Sequence, residues 1–76
     1  MITVKLYGLL RIESGIKEKQ LQVSSVKEVL AVLADCGISP KDLHSCIILV
    51  NGKNASKRSK LADGDTVVLM SPVAGG

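Results

Sequence analysis

Aromatic side chains are nearly absent: Tyr7 is the only one in 76 residues, with no tryptophan and no phenylalanine. A core built from this chain must therefore be aliphatic, made of Val, Ile and Leu. The same shortage argues against a single-stranded nucleic-acid binder, which needs rings on which bases can stack. Charge of one sign is also scarce. A net +3 permits acidic partners but is far from the dense basic footprint of a nucleic-acid surface. No run of about 18 apolar residues occurs, so no membrane-spanning helix is expected. The N-terminus alternates apolar and polar residues around Lys5 and reads as a strand rather than a signal peptide, which places the chain in the cytoplasm. Cysteine is limited to Cys36 and Cys46, and His44 is the only histidine. That set has no zinc spacing. Two reduced, half-buried thiols are expected, with no disulfide in that compartment.

The length allows one domain, which buries only about 60% of its unfolded surface and so folds with a thin margin. Ile2, Val4 and Leu6 alternate with Thr3, Lys5 and Tyr7, a strand with one buried face. Leu9 to Lys19 is mixed in character, with Gly15 as a turn point. Leu21 and Val23 alternate with Gln20, Gln22 and Ser24, a second strand able to pair with the first as a hairpin. Ser25-Val26-Lys27-Glu28 fits a capping box at a helix start. Val26, Val29, Leu30 and Leu33 follow on one helical face. Gly37 ends the helix, Pro40 is expected to block any restart, and Lys41 to Ser45 reads as a connector. Ile47-Ile48-Leu49-Val50 is apolar without alternation, the pattern of a strand covered on both faces inside a sheet. Asn51-Gly52 is a turn signal. Asn54 to Lys60 reads as a loop or short edge strand. Asp63-Gly64-Asp65 is another turn, leading into a last strand, Thr66 to Met70. This order fits an α+β fold, a mixed four- to five-stranded sheet with one main helix across it. Residues 1–70 form the domain and 71–76 a flexible tail.

Candidates for catalysis are weak. Asp63 and Asp65 are ordinary turn formers. His44 and Cys46 would share a face if they lay on a strand, yet no third group is at hand to orient the imidazole. Asn51-Gly52-Lys53 lacks the glycine run and hydroxyl residue of a phosphate loop. Lys57, Arg58 and Lys60 form a basic cluster, which is most often a solvated loop and otherwise a face for an acidic partner. No metal or bound cofactor is expected.

The tail Ser71-Pro72-Val73-Ala74-Gly75-Gly76 stands apart. A terminal Gly-Gly arises by chance in roughly one chain in 200, so the dipeptide alone says little. Its place after the last strand says more, because six extended residues reach about 20 Å. The Gly76 carboxylate is ionised at neutral pH and is a poor electrophile. Acyl transfer from it requires activation, for instance as a mixed anhydride with AMP. A narrow channel beside ATP admits residues without a β-carbon and lets them take the φ it demands.

Three ordered stretches then resemble the ubiquitin-like sulfur carriers, the molybdopterin synthase small subunit (MoaD type) and the thiamine-pathway carrier (ThiS type). They are Ile47 to Gly52, Leu61 to Asp65, and Pro72 to Gly76. The resemblance covers essentially the whole chain and implies a β-grasp fold. It further implies that Gly76 is adenylated by a ubiquitin-activating-type enzyme using ATP and converted to a thiocarboxylate, with Gly75 helping the tail to thread. The implied partners are that enzyme, a sulfur donor protein and a sulfur-accepting synthase subunit. The chain would then be a carrier rather than an enzyme. The ending, with proline before valine, is closer to the molybdopterin type, whereas Asn51-Gly52 followed by Arg58 has thiamine-type character. Two other functions fit a β-grasp domain: a protein modifier joined through Gly76 to a lysine, and a binding module. The partner surface is expected to be apolar and centred on the sheet near the tail.

Overall fold

In the computed structural model, residues 1–72 are described. The strands are β1 (Ile2–Tyr7), β2 (Glu18–Leu21), β3 (Ile47–Val50), β4 (Lys53–Asn54) and β5 (Thr66–Met70). The helices are α1 (Leu9–Ser14), α2 (Val26–Asp35) and α3 (Pro40–Ser45). The strands form one mixed sheet in the order β2-β1-β5-β3-β4. β1 and β5 run parallel at its centre, and every other neighbouring pair is antiparallel. This is the β-grasp plan.

The core is aliphatic, as the shortage of rings requires. Ile2, Val4 and Leu6 of β1, Val67 and Leu69 of β5, and Ile48 of β3 face Val26, Val29 and Leu33 of α2. Leu30 is half-buried at the margin of the same helical face. The start of α2 differs in one detail from the expected box. Ser25 Oγ accepts from the Glu28 amide at 3.3 Å, but the Glu28 carboxylate reaches one residue further back and accepts from the Ser24 amide at 2.8 Å. Both ends of the box still satisfy amides that the helix start leaves free.

Two short helices were not legible as such. Leu9 to Ser14 forms α1, ended by Gly15, so the link between β1 and β2 carries a helix rather than a tight hairpin turn. β2 begins at Glu18 and stops at Leu21, leaving Val23 outside it. Pro40 opens α3 instead of blocking it. A first-turn residue needs no amide donor and its φ is already suited to a helix.

The turns at Asn51-Gly52 and Asp63-Gly64-Asp65 are joined to each other. Asn51, at φ 51°, donates from its amide nitrogen Nδ2 to Asp65 Oδ1 at 2.9 Å and accepts at Oδ1 from the Thr66 amide at 3.0 Å. Asp65 Oδ2 accepts from the Ala62 amide at 2.8 Å. These bonds lock the end of β3 to the start of β5 and hold the Asp65 carboxyl below its ordinary value of 3.8, chiefly through the Ala62 amide and then through Asn51. A lowered folded pKa stabilises above the unfolded value and is lost as pH falls through the folded one. Asp65→Asn is therefore expected to flatten the acid limb of stability below about pH 3.8. Urea midpoints of both proteins between pH 2 and 7 check this, and parallel acid limbs would contradict it.

Candidate functional site

β3 corrects the expectation of a strand covered on both faces. It does sit inside the sheet, between β5 and β4, but Ile48 is its only buried residue. Side chains alternate across a strand, so Ile48 and Val50 turn to the core while Ile47 and Leu49 turn to the other face. Among the described residues the helices pack into the core, through Leu10, Val26, Val29, Leu33 and Leu43. The apolar run is one core face plus one open apolar face.

The register places these residues in rows. Met70 lies between Tyr7 on β1 and Ile47 on β3. One step back along β5, Val68 lies between Lys5 and Leu49. The row Tyr7–Met70–Ile47 is at the end of β5 where the chain leaves the sheet. Exposed apolar side chains gather at this end: Tyr7 is 41% exposed, Leu9 50%, Ile12 76% and Ile47 41%. Leu9 and Ile12 are three apart on α1 and so lie on one side of it. The Arg11 guanidinium lies over the Tyr7 ring, 5.0 Å from its centre, and Arg11 Nε donates to the Leu6 carbonyl at 3.0 Å. That pairing holds the ring in place through a cation–π contact. Exposed apolar side chains on the sheet and on α1 therefore lie toward the end of the sheet where β5 stops, the kind of exposed patch that marks an interaction site. The sheet portion was expected. The α1 portion was missed, because Leu9 and Ile12 flank a stretch too short to show helical periodicity.

The remaining candidates are dispersed. His44 lies on α3, not on a strand, and its Nδ1 is 2.8 Å from Lys57 Nζ. Cys46 follows α3, and its Sγ donates to the Leu43 carbonyl at 3.1 Å. Burial pushes the Cys46 thiol up from its ordinary value, which keeps it protonated. Both cysteines are free and half-buried. Asp63 and Asp65 serve turns, and Arg58 and Lys60 are exposed. A groove of about 310 Å³ between α2 and α3 is floored by Leu30, Ala31 and Leu43 and edged by Lys27, His44 and Lys57. Glu13 is pushed above its ordinary value, first by a hydrogen bond with Asp42. Among the described residues no group of three or more His, Cys, Asp or Glu could hold a metal ion. No helix among them is long and apolar enough to cross a membrane. Gly75 and Gly76, and the expected flexible tail from residue 73 onward, lie outside the described residues.

The five-stranded mixed sheet with α2 across it is the fold of a ubiquitin-like protein. The model of the ThiS family matches residues 4–76, and the chain belongs to that family, within the ubiquitin-like sulfur carriers. No curated protein matches the chain in sequence. Among solved structures it is similar to small archaeal modifier protein 1 (SAMP1) from Methanosarcina acetivorans, at 29% identity and TM-score 0.82, covering 99% of this chain and 95% of that one. It shares its fold with a chain in the complex of subunits 1 and 2 of the molybdopterin-converting factor from Helicobacter pylori 26695, at 24% identity and TM-score 0.72, covering 99% and 97%. The same holds for the BexX/CysO complex from Amycolatopsis orientalis, at 22% identity and TM-score 0.76, covering 100% of both chains.

The thiolate is the reactive form of cysteine. Cys46 is therefore expected to react with iodoacetamide at pH 8 several-fold more slowly than a free thiol. Mass-resolved alkylation rates for the two cysteines check this, and a Cys46 rate equal to that of free cysteine would contradict it.

Proposed function

We propose that this chain is a sulfur carrier whose working group is the Gly76 carboxylate. The observation that carries the proposal is the exposed apolar set of Tyr7, Leu9, Ile12 and Ile47, with half-buried Met70 between Tyr7 and Ile47 at the end of β5, in a chain of the ThiS family. A ubiquitin-activating-type enzyme docks on that patch and takes the tail into its ATP site. A carboxylate oxygen of Gly76 attacks the α-phosphorus of ATP and pyrophosphate leaves, giving an acyl-adenylate. Sulfur delivered by a donor protein at the sulfide level then attacks the acyl carbon. AMP departs, and Gly76 is left as a thiocarboxylate. A synthase subunit accepts that sulfur. The protein's own residues bind and present, while ATP is consumed by the partner.

The ending Ser71 to Gly76 favours a molybdopterin-type pathway over a thiamine-type one. The structural likeness to a subunit found in the molybdopterin-converting factor complex is in keeping with this at the level of fold. A second reading, a protein modifier joined to lysines through Gly76, is favoured by the 29% identity to a small archaeal modifier protein. Both begin with the same adenylation, and capture of lysine conjugates separates them. A plain binding module would keep its function after deletion of Gly75 and Gly76.

Incubation with the cognate activating enzyme, ATP and a sulfur donor is expected to add about 16 Da at the C-terminus, the difference between sulfur and oxygen. An unchanged mass with both molybdopterin-type and thiamine-type enzymes would sink the carrier reading. The patch makes a separate prediction. Ile12→Glu and Ile47→Thr together should weaken binding to the activating enzyme by about tenfold or more, the scale of losing central interface anchors. Exposed substitutions of this kind cost about 0.5 kcal/mol or less each, so melting should fall by only a few degrees. Calorimetric titration beside thermal melting checks both halves.

A further inference from the structure

Past Met70 the chain is still held by the body of the domain. The amide of Leu9, the first residue of α1, donates to Ser71 Oγ at 2.9 Å. The start of α1 needs this bond. The residue in its cap position is Gly8, which offers no side-chain acceptor, and first-turn amides have no partner within a helix. Ser71, 62 positions away in sequence, supplies the cap in its place.

Gly8 is shaped for the visitor. Its φ is 67°, and a β-carbon there would lie 2.3 Å from Ser71 Oγ, a distance no real contact allows. Glycine thus meets two requirements at this position, a left-handed φ and a notch that admits the serine hydroxyl. Tyr7 and Met70 are the last pair of the parallel β1–β5 ladder, so the Gly8–Ser71 contact continues the ladder by one residue through a side chain. Pro72 follows. A residue before proline is restricted to extended backbone, and Pro72 has its own φ fixed.

We propose that Ser71, seated in the Gly8 notch and bonded to the Leu9 amide, is a positioning residue that fixes the root of the activatable tail. The inference rests on the carrier reading above and gives it a mechanical part. With Ser71 held, the segment that must be fixed when Gly76 enters an adenylating site is one residue shorter. With Ser71 released, one more residue must be ordered, and fixing the backbone of one residue corresponds to roughly a 5- to 30-fold change in an equilibrium. The root would also wander relative to the patch that docks the partner. Docking and threading would then no longer be aligned before they meet.

The test uses the full chain with its cognate activating enzyme and compares the unaltered protein with Ser71→Ala and Ser71→Thr. Amide exchange at Leu9, read by NMR, reports the contact with no enzyme present. ATP–pyrophosphate exchange at varied carrier concentration reports activation. Ser71→Ala is expected to speed exchange at Leu9 and to raise KM for the carrier about 3- to 10-fold, allowing for partial release of one residue. Its kcat should stay within about twofold, because the loss falls equally on bound ground state and transition state. Ser71→Thr, which keeps the hydroxyl, should restore both readouts. Faster Leu9 exchange with unchanged KM would make the bond merely structural and overturn the proposal. Unchanged Leu9 exchange, or failure of threonine to restore KM, would overturn it as well. If the unaltered chain supports no exchange, it is the carrier reading that falls, and any tail-positioning role falls with it.

Discussion

Because β1 and β5 run parallel at the centre of the sheet, both strands leave it at the same end, and the rest of the molecule is arranged around that meeting. The chain after β1 turns at Gly8 into α1, while the chain after β5 passes through Ser71 into the tail. A hairpin could not bring these segments together in this sense, since neighbouring antiparallel strands exit at opposite ends. Parallel pairing of the first and last strands requires a long connection between them, and here that connection holds α1, β2, α2, α3, β3 and β4. Closing so long a loop is slow to achieve, but its entropy cost grows only slowly with length.

The same constraint explains how much of the molecule was legible in its sequence. Alternation in β1, the Ser25 start and the Val26-Val29-Leu33 face of α2 are local signals, and each survives in the structure with small shifts. The two turn motifs were also readable, but not their union. Nothing local in Asn51-Gly52 reveals that its amide group will bond Asp65 and Thr66. α1 and α3 were hidden for opposite reasons. α1 has six residues, too few for a period to declare itself. α3 opens on a proline, and the same residue type stops helices internally and starts them at the first turn. The Ser71–Leu9 bond joins positions 62 apart and has no signature in the sequence at all. Family membership, by contrast, was carried by ordered stretches spread along the chain, which is why it was visible where geometry was not.

Ile47 to Val50 is the most informative misreading. An unbroken apolar run describes two situations equally well: a strand sandwiched between layers, and a strand with one face in the core and an apolar face kept bare for use. Periodicity cannot divide them. The helix count can, because one long helix and two short ones cover a single face of a five-stranded sheet. Antiparallel strands with one wet face normally place polar residues on it, and Ile47, Leu49, Val68 and Met70 do not follow that rule. Local preference and fold disagree at this spot, and such disagreements concentrate where a protein does its work.

A thin-margined domain that bares apolar side chains also needs protection from joining its own kind. The edges of the sheet supply it. β4 is two residues long and carries Lys53, and β2 is four residues long with Glu18 and Lys19 on it. Short, charged edges are poor templates for strand addition. The apolar residues lie instead on the central strands and on α1, where a partner must approach face-on and bring its own shape. Face-on docking needs complementarity, whereas edge pairing needs only a backbone. The arrangement therefore leaves the patch open to a specific partner while closing the cheaper route to self-association. It also sets the bare apolar face beside Ser71, at the end of β5.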